Sequence, residues 1–161
     1  MLRRFVLAAL FLAMLPLEAG AQQPGAQKPG AAPQSAQSFL QSIYDPYLKP
    51  DFKGLPYTEA ARFFAPDLAR AVDRDMGQAK QRNEPPTLNG DPFVDAQEWK
   101  ITNLVIRASG KGDAATGVVT FDNFGKPQRL SVSLIRMAGD WRFTDITGAS
   151  GSLRALFKLR Q

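Results

Sequence analysis

Apolar residues change their spacing once along this chain, close to Trp99. Before Trp99 they recur at every third or fourth position, which is the period of a helix that buries one side. After Trp99 they alternate with polar residues, which is the period of a strand with one buried face. The pattern predicts an α+β fold in which N-terminal helices pack on an antiparallel sheet.

Two helices are well marked in the first half of the chain. One is predicted over residues 36–49, and Pro46 is expected to bend it or end its first part because proline has no amide hydrogen. The other is predicted over residues 66–82, where a first-turn proline is tolerated and turn-forming residues follow. Thr58 is expected to cap a short helical segment between them.

The second half predicts a β-meander followed by a short C-terminal helix over residues 152–160. Turn-forming residues divide the meander, so consecutive strands are expected to form hairpins. Four strands are predicted, at residues 101–108, 114–123, 128–137 and 141–147.

The N-terminus has the composition of a secretory signal peptide. Two arginines precede an apolar run over residues 5–17, and small residues end at Ala21, after which cleavage is predicted. An uncleaved anchor is the alternative, but the run is shorter than the ~20 residues that span a bilayer. Residues 22–35 are rich in Gln, Pro, Ala and Gly, which is typical of a disordered linker. The expected organisation is a signal peptide at 1–21, a linker at 22–35 and a single α+β domain at 36–161.

The chain contains neither cysteine nor histidine. Without cysteine there is no lipoprotein anchor, disulfide or thiolate metal site, and without histidine the commonest general base is missing. Together with the signal peptide, this composition predicts a soluble periplasmic protein that has no membrane span after cleavage and no cofactor.

Charge is distributed unevenly along the predicted mature chain. It carries 8 Lys and Arg against 10 Asp and Glu up to Trp99, and 10 against 4 from Lys100 onward. Arg154, Lys158 and Arg160 are expected to form a basic surface that is either solvated or in contact with an acidic envelope partner. Nucleic acid is not an expected partner, because the chain is exported and these charges do not alternate with exposed aromatic residues.

Three segments of the chain resemble the domain-of-unknown-function family 3828. They are Phe63-Phe64-Ala65-Pro66-Asp67-Leu68, the Asp-Pro-Phe and Ala-Gln-Glu-Trp motifs within residues 91–99, and the Trp-Arg-Phe-Thr-Asp-Ile motif at residues 141–146. That family is similar to the nuclear-transport-factor-2-like superfamily, whose members wrap a curved antiparallel sheet around a long helix. The resemblance covers residues 38–157 and implies a cone-like fold with a pocket and an exported setting, but no established reaction.

The segment 91–99 brings three carboxylates together, those of Asp91, Asp95 and Glu98. A divalent cation is one interpretation, but the spacing lacks the alternating ligands and central glycine of a calcium loop. The preferred prediction is a structural clasp without metal, in which Asp91 or Asp95 caps a short helical turn over residues 93–99. Phe93 and Trp99 would be its anchors in the core.

Asp145 follows Trp141 and Phe143 at a spacing of two, so it is expected on the same inward face of the last strand. An inward carboxylate needs a partner. That partner is either an amide at residues 150–153 or a tyrosine, or else Asp145 is an acid inside a pocket. A local bulge that turns the side chain to solvent is the remaining alternative.

The aromatic residues of the predicted helices and strands have two interpretations. They belong to the core, as aromatic stripes at helical spacing commonly do, or they line the mouth of a cone. The preferred function is a non-catalytic periplasmic module that binds a small ligand or an envelope protein. The alternative is a small pocket enzyme, a hydrolase, isomerase or dehydratase, that uses Asp145 with a tyrosine. The candidate pocket residues are Asp145, Tyr44, Tyr47, Tyr57, Trp99 and Trp141.

Overall fold

The computed structural model describes residues 34–57 and 59–160. The predicted signal peptide, most of the predicted linker and the Thr58 cap lie outside the described residues. The last two linker positions are described, and both contact the folded domain. The Ser35 hydroxyl accepts a hydrogen bond from the Ser38 amide at 3.0 Å and caps the first helix. The Gln34 carbonyl accepts a hydrogen bond from the Trp141 indole at 2.8 Å.

The helices follow the predicted order, with a break at Pro46. Helix α1 spans Ala36–Tyr44 and continues as a 3₁₀ helix over Asp45–Leu48, because the proline cannot donate to the helix but fits the first turn of the next element. Helix α2 spans Ala60–Phe63 and α3 spans Pro66–Arg82, so the helix predicted at 66–82 is confirmed. No helix in the described part of the chain is long and apolar enough to cross a membrane.

All strands pair antiparallel with their neighbours in one sheet, in the order β1-β2-β3-β4-β5. The prediction of four strands was wrong by one, because a two-residue strand is too short to show an alternating pattern. The C-terminal helix α4 is also shorter than predicted and spans Leu153–Leu156. The strands are Ile101–Lys111, Ala114–Asn123, Lys126–Met137, Asp140–Gly148 and Gly151–Ser152.

The core lies between the helices and the inner face of the sheet. Its centre is an aromatic cluster in which the Phe93 ring stacks on Phe64 at 5.7 Å and meets Phe143 edge-on at 5.3 Å between centroids. These three side chains are at most 1% exposed. Burial of each contributes about 2–3 kcal/mol, so this cluster holds the helices, the segment around Phe93 and the sheet together.

Strand β1 lies at the edge of the sheet, and the side chain of Gln37 from α1 occupies part of that edge. The Gln37 amide donates to the Ile106 carbonyl at 3.0 Å, and its oxygen accepts from the Ala108 amide at 2.8 Å. Both backbone groups would otherwise be free to pair with a strand of another molecule. Gln37 therefore takes the hydrogen-bonding positions of a neighbouring strand.

We predict that Gln37→Ala increases self-association of the protein. The change removes two hydrogen bonds, lowers the free energy of unfolding by about 1–2 kcal/mol and frees the β1 edge. Light scattering during incubation at raised concentration measures the effect. Gln41→Ala is the matched control, because Gln41 is exposed on the same helix. Equal scattering from the two variants would contradict a protective role for Gln37.

Candidate functional site

A β-bulge in β4 changes the orientation of Asp145. Ser133 of β3 pairs with Asp145, but the next residue, Leu134, pairs with Phe143, so Thr144 is an extra residue on β4. The bulge shifts the alternation by one position, and Ile146 is buried where Asp145 was expected. The prediction that Asp145 shares the inward face with Phe143 was wrong, and the local bulge that was the remaining alternative is present.

Asp145 instead holds the start of α4. One carboxylate oxygen accepts from the Ser152 hydroxyl at 2.7 Å, and the other accepts from the Arg154 amide at 3.1 Å. Both oxygens also receive hydrogen bonds from neighbours within β4, the Ile146 amide and the Thr147 hydroxyl. No tyrosine hydroxyl is among its partners in the described residues. The carboxylate therefore acts as a structural partner for backbone and hydroxyl groups.

The predicted clasp forms a closed loop, and the expected helical turn over residues 93–99 was wrong. The Asp91 amide donates to the Ala96 carbonyl at 2.9 Å, and one Asp91 carboxylate oxygen accepts from the Phe93 amide at 2.8 Å. Asp95 has a φ of 52° and accepts from the Ser150 amide at 2.9 Å, which ties the loop to the end of the sheet. Phe93 is fully buried, whereas Trp99 is only half-buried.

The other carboxylate oxygen of Asp91 accepts a hydrogen bond from the Tyr47 hydroxyl at 2.6 Å. Asp91 is only 5% exposed, and burial raises its pKa to about 6 although the Tyr47 and Phe93 hydrogen bonds oppose the rise. Burial and the neighbouring Asp91 carboxylate also raise the pKa of Tyr47 far above its ordinary value. Gly54 lies against this pair with a φ of 91°, and a Cβ there would meet the Asp91 oxygen at 2.9 Å. Position 54 therefore requires glycine, because any other side chain would be strained at this φ and would collide with the Asp91 carboxylate.

The remaining aromatic candidates are not brought together at one site. Tyr44 is completely buried, and burial together with the Asp91 carboxylate raises the pKa of its hydroxyl. Tyr57 is half-buried at the margin of the core. Trp141 packs against the Arg136 guanidinium, 4.5 Å from its ring centre, and lines a small cavity beside the start of α1. Among the five aromatic candidates, Tyr47 and Trp99 line the same open cavity.

That cavity, which we call the aromatic groove, has a volume of about 620 Å³. It lies between residues 47–53, residues 97–102 and Phe124 at the tip of the β2–β3 hairpin. Edge-to-face contacts join its aromatic rings: Tyr47 lies 4.8 Å from Phe52 and 5.4 Å from Trp99 between centroids. The groove is therefore walled by rings whose positions are fixed by packing.

Phe124 has an unusual position for a large apolar side chain. It is the first residue of a two-residue hairpin loop, with a φ of 48°, and Gly125 follows with a φ of 75°. Such loops favour Asn-Gly, because positive φ is strained for a bulky side chain. The Phe124 amide donates to the Lys100 carbonyl at 3.1 Å, which fixes the tip, yet the side chain is 58% exposed. Local stability therefore does not explain the phenylalanine.

Charged groups line the groove. Lys49 and Lys53 come from the segment after α1, and Lys100 comes from the segment before β1. Glu98 lies in the same wall, so positive charge exceeds negative charge by two among the lining residues. None of the three lysines forms an ion pair with a carboxylate between residues 34 and 160. All three lysines are exposed.

The predicted basic surface at the C-terminus is not a single surface. The Arg154 side chain is 18% exposed and forms an ion pair with Asp67 of α3 at 2.8 Å. It also donates to the carbonyls of Thr144 and Arg160, so its role is to hold α4 in place. Lys158 and Arg160 are exposed. Within the described residues, no group of three or more acidic side chains is arranged to hold a metal ion.

Most residues that line the groove were not predicted from the sequence. The notable omissions were Leu48, Phe52, Phe124 and the three lysines. One signal was present, because Phe-Gly occupies a tight hairpin position where Asn-Gly is favoured. The other residues come from separate segments that approach only in the folded chain.

Comparison with known proteins gives little information. No protein-family model matches the chain. No curated protein matches it. A chain from the crystal structure of the type VI native effector–immunity complex Tae3–Tai3 of Ralstonia pickettii is similar at 24% sequence identity. The match covers 71% of this chain and 95% of that chain, with a TM-score of 0.48. This degree of similarity supports no inference about function.

We predict that Asp91→Asn removes a pH dependence of stability. Asp91 has a pKa of about 6 in the folded protein, against an ordinary value of 3.8. Folding therefore favours the protonated carboxyl over the carboxylate, and the full difference is about 3 kcal/mol. This stabilisation is present below pH 3.8 and is lost as the pH rises through about 6. The asparagine keeps an acceptor for Phe93 and carries no charge. The free energy of unfolding of the variant, relative to that of wild type, should therefore rise as the pH is raised from 4 to 7.

The measurement is chemical unfolding of both proteins at several pH values, expressed as the difference in free energy. The difference is needed because Asp67 and Asp75 act in the opposite direction. Burial alone would raise their pKa values, but hydrogen bonds hold them below 3.8. Asp73→Asn is the control, since Asp73 is exposed on α3. A difference for Asp91→Asn that stays constant with pH would refute the assignment.

Proposed function

We propose that this chain is an exported, non-catalytic binding module of the cell envelope and that the aromatic groove is its binding site. The observation that carries the proposal is Phe124, a large apolar side chain that is 58% exposed on a strained backbone at the edge of the groove. Strain at such a position is retained where the side chain has a role in function. Here that role is contact with a ligand.

The size and chemistry of the groove support this proposal. Its volume of about 620 Å³ lies within the range of small-ligand sites, about 300–1,000 Å³. Its walls are mostly aromatic and aliphatic, and a few charged groups lie around them. Such sites obtain affinity from apolar contact and orientation from a small number of polar groups.

A binding role is favoured over catalysis by the state of the acids. Asp145 is engaged with Ser152 and Arg154, and so the expected Asp-tyrosine pair is not formed there. The Asp91–Tyr47 pair is buried, and both carboxylate oxygens of Asp91 already accept hydrogen bonds. Both carboxylates are therefore engaged in structural hydrogen bonds. Glu98 is the only acidic residue that lines the groove.

We further propose that the sheet curves into the cone-like form of the nuclear-transport-factor-2-like superfamily and that the chain belongs to family 3828. Two β-bulges support the curvature, because an extra residue bends a strand. One lies in β1 between Thr102 and Val105, and the other is at Thr144 in β4. The motifs shared with family 3828 support the membership, and the family's exported setting agrees with the predicted signal peptide.

Export predicts a defined mature N-terminus. In a Gram-negative host the protein should be recovered from the periplasmic fraction, beginning at Gln22, because the segment 1–21 has the features that signal peptidase reads. Mass spectrometry of the purified protein measures this. Recovery of an intact N-terminus from the membrane fraction would show an uncleaved anchor instead.

The groove is tested with Phe124→Asn, which should have opposite effects on stability and binding. The asparagine suits positive φ, so the unfolding free energy should rise by about 0.5–1 kcal/mol. The variant also loses the exposed ring. Fluorescence of anilinonaphthalene sulfonate, an anionic apolar dye, should increase with the native wild-type protein and much less with the variant.

Ala138→Asn is the matched control for the backbone. Ala138 precedes Gly139 in the β3–β4 hairpin and also has a positive φ, of 51°. Both variants create Asn-Gly in a two-residue loop, so both should raise the unfolding free energy. Only Phe124→Asn should reduce the dye signal. Equal dye signals from wild type and both variants would overturn the groove as the binding site.

A further inference from the structure

We infer that the natural occupant of the aromatic groove is an acidic peptide segment that presents an aromatic or branched aliphatic side chain. This inference rests on the proposed function, because it identifies the ligand class of the same site. It follows from the exposure of apolar residues at the groove margin and from the excess of positive charge around it.

The margin of the groove favours a peptide over a small molecule. Leu48 is 49% exposed and Phe124 is 58% exposed, so both project beyond the cavity and would remain largely in water around an enclosed small ligand. Aromatic side chains that project from a rigid scaffold are typical anchors of protein interfaces. A chain crossing the groove would cover both residues and place one of its own side chains between them.

The charges favour an acidic chain. Lys49 and Lys53 reach the groove from the segment after α1, Lys100 reaches it from the segment before β1, and Glu98 is the single negative charge among the lining residues. Exposed lysines around an apolar centre steer acidic partners and select against basic ones. Carboxylates on both sides of an apolar anchor would therefore meet ammonium groups while the anchor contacts Trp99.

The groove is also prepared for binding before the ligand arrives. The Phe124 amide donates a hydrogen bond to the Lys100 carbonyl, which holds the hairpin tip against the segment before β1. The Tyr47 hydroxyl donates a hydrogen bond to buried Asp91, which fixes the Tyr47 ring that lines the groove. Side chains that are already fixed lose little conformational entropy on binding, so a short segment can bind with few contacts.

The test uses three synthetic hexapeptides with blocked termini. The first, Asp-Glu-Phe-Leu-Glu-Asp, has acids and an apolar anchor. The second, Lys-Lys-Phe-Leu-Lys-Lys, keeps the anchor and reverses the charge. The third, Asp-Glu-Ser-Ser-Glu-Asp, keeps the charge and removes the anchor.

Binding is followed by NMR on the folded mature protein through the indole N–H signals of its two tryptophans. Trp99 lies in the groove, whereas Trp141 lines a different cavity and serves as an internal control. The first peptide should shift the Trp99 signal alone. It should bind at least about tenfold more tightly than either of the others, and added salt should weaken it.

Two variants and one control test the residues involved. Phe124→Asn should weaken the first peptide about tenfold or more, as loss of an interface anchor does. The double variant Lys49→Glu and Lys100→Glu should remove the preference for acidic over basic peptide. Lys111→Glu should leave it unchanged, because Lys111 is exposed at the opposite end of β1.

The outcomes separate this inference from the proposed function. Equal affinity for the acidic and basic peptides with the anchor would overturn the acidic-ligand inference and leave the groove as the binding site. The same conclusion follows if all three peptides fail while the dye, or dodecanoate as an anionic amphiphile, shifts the Trp99 signal. Failure of every probe to shift Trp99 would overturn both. Equal binding of the anchorless peptide would also overturn the inference, since charge alone would then suffice.

Discussion

The hydrogen bond between Tyr47 and buried Asp91 is the contact on which the arrangement around the groove depends. A carboxylate that is removed from water needs partners, and the loop around residues 91–96 closes so that the Phe93 amide and the Tyr47 hydroxyl provide them. This closure places Phe93 in the aromatic core and fixes the Tyr47 ring beside Trp99, where both line the groove. Burial of the charged Asp91 carboxylate opposes folding. The same burial holds the closed loop around residues 91–96 and the Tyr47 ring in place.

The larger part of the fold could be predicted because it follows from local periodicity. Helix α3 has a continuous apolar stripe, strands β2 and β3 have a continuous alternation, and these patterns are present in the structure. The errors lie where the period is interrupted or too short to detect. Thr144 adds one residue to β4 and reverses the orientation of Asp145, a change that no regular pattern contains. Strand β5 and helix α4 are two and four residues long, so each contains only about one repeat of its period, which is too short to show a pattern.

The candidate site was harder to predict than the fold because it is assembled from segments that are distant in sequence. The motif at 91–99 identified Asp91 as important, but its burial depends on Tyr47, which is 44 positions earlier. Trp99 was expected either in the core or at the mouth of a pocket, and it is half-buried where it lines the groove. Phe124 belongs to a turn, where hydrophobic periodicity carries no information. The three lysines of the groove, Lys49, Lys53 and Lys100, do not form a cluster in the sequence. They line the same cavity because two distant segments of the chain meet there in the folded protein.

Helix α1 connects the groove to the edge of the sheet, with a consequence for the behaviour of the protein in a crowded compartment. The helix places Gln37 over the β1 edge near its start and continues into the 3₁₀ segment that carries Tyr47. Displacement of this one element would therefore uncover the sheet edge and disrupt the aromatic groove at the same time. A ligand that binds only the intact groove opposes that displacement by mass action. Under the proposed function, occupancy of the groove would therefore keep Gln37 over the β1 edge and protect the protein against aggregation.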